Sequence, residues 1–378
     1  MNLPKNLLQL LEQRRNNDNL RQLQQFDYKT DFLSNDYLGY AQNGSIAEKS
    51  QSILKSSQNQ HLGSTGSRLI SGNYSLIVEL EQKAAQIFNA KSALFFNSGY
   101  DANIGFLSAV LQPKDLVIYD ELCHASIRDG LQMCKAKSYK FKHNNYEDLS
   151  QKITNQQNRL NPQNIYIVTE SVFSMDGDQS DIKKLLDIAQ NFEAYLILDE
   201  AHGLGICGQD FKGLSYNYSD QVFARILTCG KSLGSHGAFV LGSSDLKSYL
   251  VNFCKPFIYT TAASPHQVAS VFSALNHFEM YEDEKLQLQK NIKYFRKQLK
   301  AIGLESRFIK SHSAIQSFKI LGNTEAKAIA KQLQDDGFGV KAILHPTVPK
   351  GQERIRICLH SFNTEQEIFS LLENIYQI

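Results

Sequence analysis

The chain has 378 residues, 42% of them hydrophobic and 21% charged, an ordinary balance for a globular protein long enough for two or three domains. Forty basic against 38 acidic residues give a net charge of +2, so there is no broad basic field of the kind duplex nucleic acid favours. No apolar run approaches the roughly 18–20 residues that span a bilayer, and neither a nucleic-acid nor a membrane partner is expected. The N-terminus has no signal-peptide pattern. The six cysteines (Cys123, Cys134, Cys207, Cys229, Cys254, Cys358) form no CxxC pair, which argues against a zinc site; no metal is expected. Scattered single cysteines fit reduced thiols and a cytoplasmic location.

Along the chain, residues 1–40 are polar and read as an N-terminal helix and arm, with Leu7, Leu8 and Leu11 spaced for a short amphipathic helix. Residues 41–265 alternate short apolar runs with helical periods. The runs are SALFF (92–96), DLVIY (115–119), IYIVT (165–169), YLILD (195–199), ARILT (224–228) and AFVLG (238–242). In SDIKKLLDIAQNF, Ile182, Leu185, Leu186 and Ala189 share a helical face, with Ser180 or Asp181 able to cap it. β-Branched runs alternating with helices predict an α/β fold with a mainly parallel sheet covered on both faces. Residues 266–378 read as a smaller α+β domain. It opens with one long helix-like stretch (about 265–302), then SAIQSFKIL, the helical NTEAKAIAKQLQDDG, a strand at FGVKAIL, and RIRICLH.

Ligands of an open parallel sheet sit beyond the carboxyl ends of its strands. The residues just after each run therefore matter most: Asn97–Tyr100, Asp120–His124, Glu170–Ser174, Asp199–His202 and Thr228–Lys231.

The stretch LILDEAHGLG (196–205) admits two readings. Asp-Glu-Ala-His resembles the magnesium-binding strand of a helicase. That reading needs an upstream G-x-x-x-x-G-K-[ST] loop. The only Gly-Lys-Ser, 230–232, lies downstream of Asp199, and Arg225 occupies the position of the loop's first glycine. Composition and order both fail.

The second reading is a pyridoxal 5'-phosphate site. That chemistry needs a lysine for the cofactor aldehyde, a carboxylate for the pyridine nitrogen and donors for the phosphate. Lys231 follows a strand and has small neighbours (Gly230, Ser232, Gly234, Ser235, Gly237) that let a flat cofactor approach. Asp199 ends an apolar strand, where its charge is costly unless paired. Gly99 and Tyr100 place backbone N–H groups at a helix start, suited to an anion, and Thr228 adds a hydroxyl. His124 is placed to stack on the ring, and His202 and Ser174 are candidates for its edge. Taken singly, each has a plainer reading: a cap or ion pair for Asp199, an exposed loop lysine for Lys231, a turn residue for Ser174. Those plain readings leave the convergent rim unexplained.

Nine segments together resemble the α-oxoamine synthases, fold-type I pyridoxal-phosphate enzymes: NDYLGY (35–40), GSTGSRLISGN (63–73), NSGYDAN (97–103), DELCHASIRDG (120–130), TESVFSMDGD (169–178), LDEAHGLG (198–205), TCGKSLGSHG (228–237), IYTT (258–261) and HPTVPKG (345–351). The resemblance implies a large domain with a mainly parallel seven-stranded sheet and a smaller C-terminal domain. It implies that Lys231 binds the cofactor and moves the substrate α-proton, that Asp199 pairs with the ring nitrogen, and that His124 stacks on the ring. His202 and Ser174 would lie near the ring 3'-oxygen, and Thr228 with Gly99 and Tyr100 would hold the phosphate. Thr260 or Thr261 would reach the phosphate of the other subunit of a homodimer with shared active sites. Asn35 and Arg356 resemble binders of the amino-acid carboxylate, a task that suits a guanidinium. Arg21 and Thr347 resemble residues lining the acyl-substrate site. Cys229 stands where a bulkier apolar or aromatic residue is expected. The implied reaction is a decarboxylative condensation of an amino acid with an acyl thioester of coenzyme A or acyl carrier protein. L-Alanine with a pimeloyl thioester is the first choice, and glycine with acetyl-CoA the alternative.

Overall fold

The computed structural model describes residues 3–25, 27–58 and 60–378. It divides into two compact units, one of residues 36–173 and 179–286, the other of 1–35, 174–178 and 287–378. The N-terminal arm thus belongs to the same unit as the C-terminal residues.

The larger unit is built on a seven-stranded sheet among the described residues. In chain order its strands are β1 (Ser92–Phe96), β2 (Leu116–Asp120), β3 (Lys137–Phe141), β4 (Ile165–Glu170), β5 (Tyr195–Asp199), β6 (Ala224–Thr228) and β7 (Ala238–Gly242). Across the sheet they lie in the order β1-β7-β6-β5-β4-β2-β3. Only β7 runs against the others, pairing antiparallel with both β1 and β6. The carboxyl ends of β1, β2, β4, β5 and β6 therefore share one rim.

Alternation along the strands feeds two cores. Val117, Val168, Ile197 and Ile226 pack into one cluster, with Phe96 and Phe106. Leu116, Ile118, Ile167, Leu196 and Leu198 pack into the other, on the opposite face. Each fully buried side chain of this kind contributes about 1.5–3 kcal/mol. The helix after β1, α1 (Gly99–Val110), is capped by Ser98, whose hydroxyl accepts from the Asp101 N–H at 3.0 Å. The helix after β2, α2 (Ala125–Met133), is capped by the His124 ring. Asp181, not Ser180, caps the helix Ile182–Asn191.

The smaller unit holds a three-stranded antiparallel sheet of Lys341–Ile343, Arg354–Cys358 and Ile315–Lys319, with Arg354–Cys358 in the centre. The N-terminal Thr30–Asp31 pairs in parallel with Phe338–Gly339. The expected first helix forms over Lys5–Asn16, and Leu7, Leu8 and Leu11 stay exposed along it.

Three local expectations differ. The stretch 265–302 is two helices, Pro265–Met280 and Asp283–Ala301, because Tyr281 turns extended before the acidic Asp283 and Glu284 start a new helix. FGVKAIL is two short strands with different partners, separated at Val340. β3 was not anticipated at all. Cys123, Cys207, Cys229, Cys254 and Cys358 are buried, Cys134 is half-buried, and all six are free. No helix among the described residues is long and apolar enough to cross a membrane.

Candidate active site

Asp199 ends β5 opposite Glu170 of β4 in register. It is only 5% exposed. Its Oδ1 accepts from the Ala201 N–H and its Oδ2 from Asn103 Nδ2, both at 2.8 Å. These two donors stabilise a carboxylate that the apolar strand would otherwise penalise. Glu170 accepts from the His124 backbone N–H. Burial, reinforced by the neighbouring charge of Asp199, pushes the Glu170 carboxyl well above its usual range. Glu170 is therefore a group that resists ionising beside Asp199.

His124 stands at the N-cap of α2 as an exposed residue, with its Nδ1 edge turned inward, 2.8 Å from Ser126 Oγ. Desolvation lowers its pKa; Asp199 opposes the shift, and Lys231 and Arg128 reinforce it. The outcome is a neutral imidazole with an open face, suited to stacking on a flat ring. His202, three residues after Asp199, is buried, and its Nδ1 lies 2.8 Å from the Tyr37 hydroxyl.

Lys231 follows β6 and is half-buried, with Nζ donating to Thr228 Oγ1 at 3.5 Å. Thr228 meets Gly99 across the rim: a Cβ on Gly99 would sit 2.5 Å from Thr228 Cγ2. Gly99 and Tyr100 open α1, where first-turn N–H groups have no intrahelical acceptor. A hydroxyl, a lysine and a helix N-terminus thus converge where an anion fits. Two glycines of the loop that carries Lys231 are also needed by packing. Gly234 (φ +55°) and Gly237 (φ +112°) are required by the loop's own packing, since a Cβ would strike Ala41 N and the Phe95 ring. Thr260 and Thr261 lie exposed beside the same rim, where Asn97 Nδ2 donates to the Thr261 carbonyl at 2.8 Å and to Thr260 Oγ1 at 3.5 Å.

In the smaller unit, Arg356 Nε donates to the Ser174 carbonyl at 2.7 Å and an Nη donates to Asn35 Oδ1 at 2.8 Å. Three expected residues are thus joined around one guanidinium, which is half-buried. Arg21 donates to Thr347 Oγ1 at 3.3 Å. That pair lines a cavity of about 750 Å³ with Leu20, Leu23, Ile343 and Leu344.

Sequence reasoning gave no role to Tyr37, Asn103 or Ser126. Each lies inside a quoted motif, but the contacts of Tyr37 with His202, of Asn103 with Asp199 and of Ser126 with Asn103 join different segments of the chain. The signal available was spacing: Asn103 falls one helical turn after Gly99, on the side of α1 that holds the cap.

The aminotransferase class I and II family matches residues 28–375. A protein of Emericella nidulans named 8-amino-7-oxononanoate synthase is 38% identical over 362 residues, covering 91% of this chain and 88% of the relative. The solved 8-amino-7-oxononanoate synthase of Francisella tularensis superposes with a TM-score of 0.75 at 27% identity, covering 92% and 97% of the two chains. The serine palmitoyltransferase of Sphingomonas wittichii, at 22% identity, shares the fold with a TM-score of 0.89 over 100% and 98%.

The family depends on pyridoxal 5'-phosphate, and the rim fits that group. It offers a buried carboxylate for a protonated ring nitrogen, a lysine for the aldehyde, an open imidazole face, and backbone and hydroxyl donors for a phosphate. The chain belongs to the aminotransferase class I and II family and, within it, to the fold-type I α-oxoamine synthases that its nine motifs resemble.

Proposed function

We propose that the protein condenses L-alanine with a pimeloyl thioester to give 8-amino-7-oxononanoate, CO2 and the free thiol, a step of biotin biosynthesis. The relatives named for this product support the choice. When bound, pyridoxal 5'-phosphate supplies an aldehyde for the substrate amine and a ring that accepts the electron pair left at the α-carbon.

The chain's own residues do the rest. Lys231 would hold the cofactor aldehyde and, when free, would take the α-proton of alanine. Asp199, anchored by Asn103 and Ala201, keeps the ring nitrogen protonated. His124 would cover one ring face, and His202 and Ser174 would serve the ring oxygen. Thr228 and the Gly99 and Tyr100 N–H groups hold the phosphate. Arg356, with Asn35, binds the alanine carboxylate, and Arg21 with Thr347 lines the acyl site. A carbon–carbon bond then forms between the α-carbon and the thioester carbonyl. The thiolate leaves and takes up a proton, the carboxylate departs as CO2, and Lys231 returns a proton to the α-carbon.

We further infer a cytoplasmic homodimer in which Thr260 or Thr261 serves the partner's phosphate. Free cysteines support the location. Leu62, Ile70 and Tyr259, each more than four-fifths exposed in the single chain, support an interface. Sedimentation showing an active monomer would refute the shared site.

The observation that carries the reading is the doubly anchored Asp199 on the rim that also holds Lys231. Two measurements test it. The visible spectrum on titration with pyridoxal 5'-phosphate should show a yellow band, bleached by borohydride and missing in Lys231→Ala. Assays of alanine and glycine against pimeloyl-, acetyl- and succinyl-CoA should favour alanine with pimeloyl-CoA. Turnover only with glycine and acetyl-CoA would assign the sister reaction instead.

A further inference from the structure

The amide of Asn103 uses its nitrogen twice. Nδ2 lies 2.8 Å from Asp199 Oδ2 and 3.0 Å from Ser126 Oγ, with all three groups buried. The helices that carry Asn103 and Ser126 meet closely at Gly130, where a Cβ would lie 3.2 Å from the Asn103 carbonyl oxygen. A larger residue there would push α2 away and part the pair.

Hydrogen positions along this chain of contacts follow from what each group is able to do. The anchored carboxylate of Asp199 only accepts, so the amide nitrogen faces it. The same nitrogen therefore donates to Ser126 Oγ. The backbone N–H of Ser126 only donates, and it lies 3.2 Å from His124 Nδ1. That contact, the longer of the two made to Nδ1, favours a lone pair there. The Ser126 hydroxyl hydrogen is left to point at that same lone pair, 2.8 Å away. The neutral ring's own proton sits on Nε2, the outward nitrogen.

We propose that Asn103 is a positioning residue that sets two groups at once: it anchors Asp199 directly and, through the Ser126 hydroxyl, holds His124 as the neutral tautomer protonated on Nε2. One amide thereby keeps the ring-nitrogen partner and the ring-stacking residue in fixed relation, although they stand on different strand ends. The role toward His124 is a property of the cofactor-free protein. Only the role toward affinity rests on the cofactor reading above.

The test has two arms. Histidine-selective 15N NMR of the cofactor-free protein at mildly alkaline pH reports the tautomer, with the His124 signal identified by its loss in His124→Gln. The wild type should give the pattern of a neutral ring protonated on Nε2. In Asn103→Asp the new carboxylate accepts the Ser126 hydroxyl hydrogen, so His124 loses a donor and its signal should move toward the Nδ1-protonated or charged form. A wild-type ring protonated on Nδ1 overturns the tautomer assignment, and an Asn103→Asp signal identical to the wild type overturns the role of Asn103 toward His124.

The second arm titrates pyridoxal 5'-phosphate into Asn103→Ser and Ser126→Ala, each checked for an unaltered thermal midpoint. Asn103→Ser should weaken binding roughly tenfold or more, because a buried charge loses an anchor, and Ser126→Ala no more than about threefold. No loss in Asn103→Ser, or equal losses in the two variants, refutes the direct role toward Asp199. A wild type that binds no pyridoxal 5'-phosphate refutes the proposed function and leaves the NMR result standing by itself.

Discussion

The Tyr37 hydroxyl and His202 Nδ1 lie 2.8 Å apart, with Tyr37 fully buried and His202 only 5% exposed. Their rings also meet edge to face, with centroids 6.1 Å apart. Removing the hydroxyl leaves a buried imidazole nitrogen without that partner. Tyr37→Phe is expected to cost about 1–3 kcal/mol in urea unfolding of the cofactor-free protein. Cofactor affinity should fall as well, because His202 loses one of its holds. An unchanged unfolding midpoint would show that this bond is not needed.

The close approach of Gly99 to Thr228 makes a sharper prediction. A Cβ at position 99 would sit 2.5 Å from Thr228 Cγ2, and among the described residues that methyl is the only obstacle at such range. Gly99→Ala should weaken cofactor binding by about tenfold or more, as small shifts at a phosphate site do. Thr228→Ser removes the methyl and keeps the hydroxyl. The double variant should therefore recover most of the loss, an outcome that additivity forbids. Titration of all four proteins completes the cycle.

Arg356 divides its donors between the Ser174 carbonyl and Asn35. Lysine carries charge but cannot hold both contacts while presenting a fork to a carboxylate. Arg356→Lys should raise KM for the amino acid by about tenfold, with a smaller change in kcat. An equal fall in kcat with KM unchanged would place Arg356 elsewhere in the reaction.

Glu170 supplies a pH test. Its folded pKa is raised, so the unfolded state ionises first as pH climbs. Stability contributed at acid pH is lost as pH rises from the ordinary carboxyl range toward the raised folded value. Glu170→Gln still accepts from His124 and has nothing to ionise. Its thermal midpoint relative to the wild type should improve between pH 4 and pH 8, by on the order of 2 °C or more. A difference that is flat with pH would mean that Glu170 is not perturbed.

The rim was legible because its strands are continuous apolar runs that end abruptly in polar residues. Asp199 and Thr228 close their strands where YLILD and ARILT close. β3 was not legible: Lys137, Ser138, Tyr139 and Lys140 leave only Phe141 buried, as suits the last strand of a sheet. The pairing of Phe338–Gly339 with Thr30–Asp31 was hidden because strand partners across the whole chain leave no local period. The network of Asn103 and Ser126 was hidden for a related reason. Asparagine and serine near helix starts usually read as caps, and only the packing of α1 on α2 gives them another use.

The pairing of the chain's beginning with its end has a consequence for how the protein is made. Thr30, Phe32 and Asn35 leave the ribosome well before their partners Phe338, Cys358 and Arg356; Asn35 and Arg356 are 321 positions apart. At about 5–20 residues per second, Asn35 waits roughly 15–60 s for its guanidinium. During that interval all seven strands of the larger sheet have been synthesised. The rim residues are therefore all made before the two residues proposed for the amino-acid carboxylate have met. A nascent chain stopped short of residue 354 should already take up cofactor while remaining unable to turn over substrate.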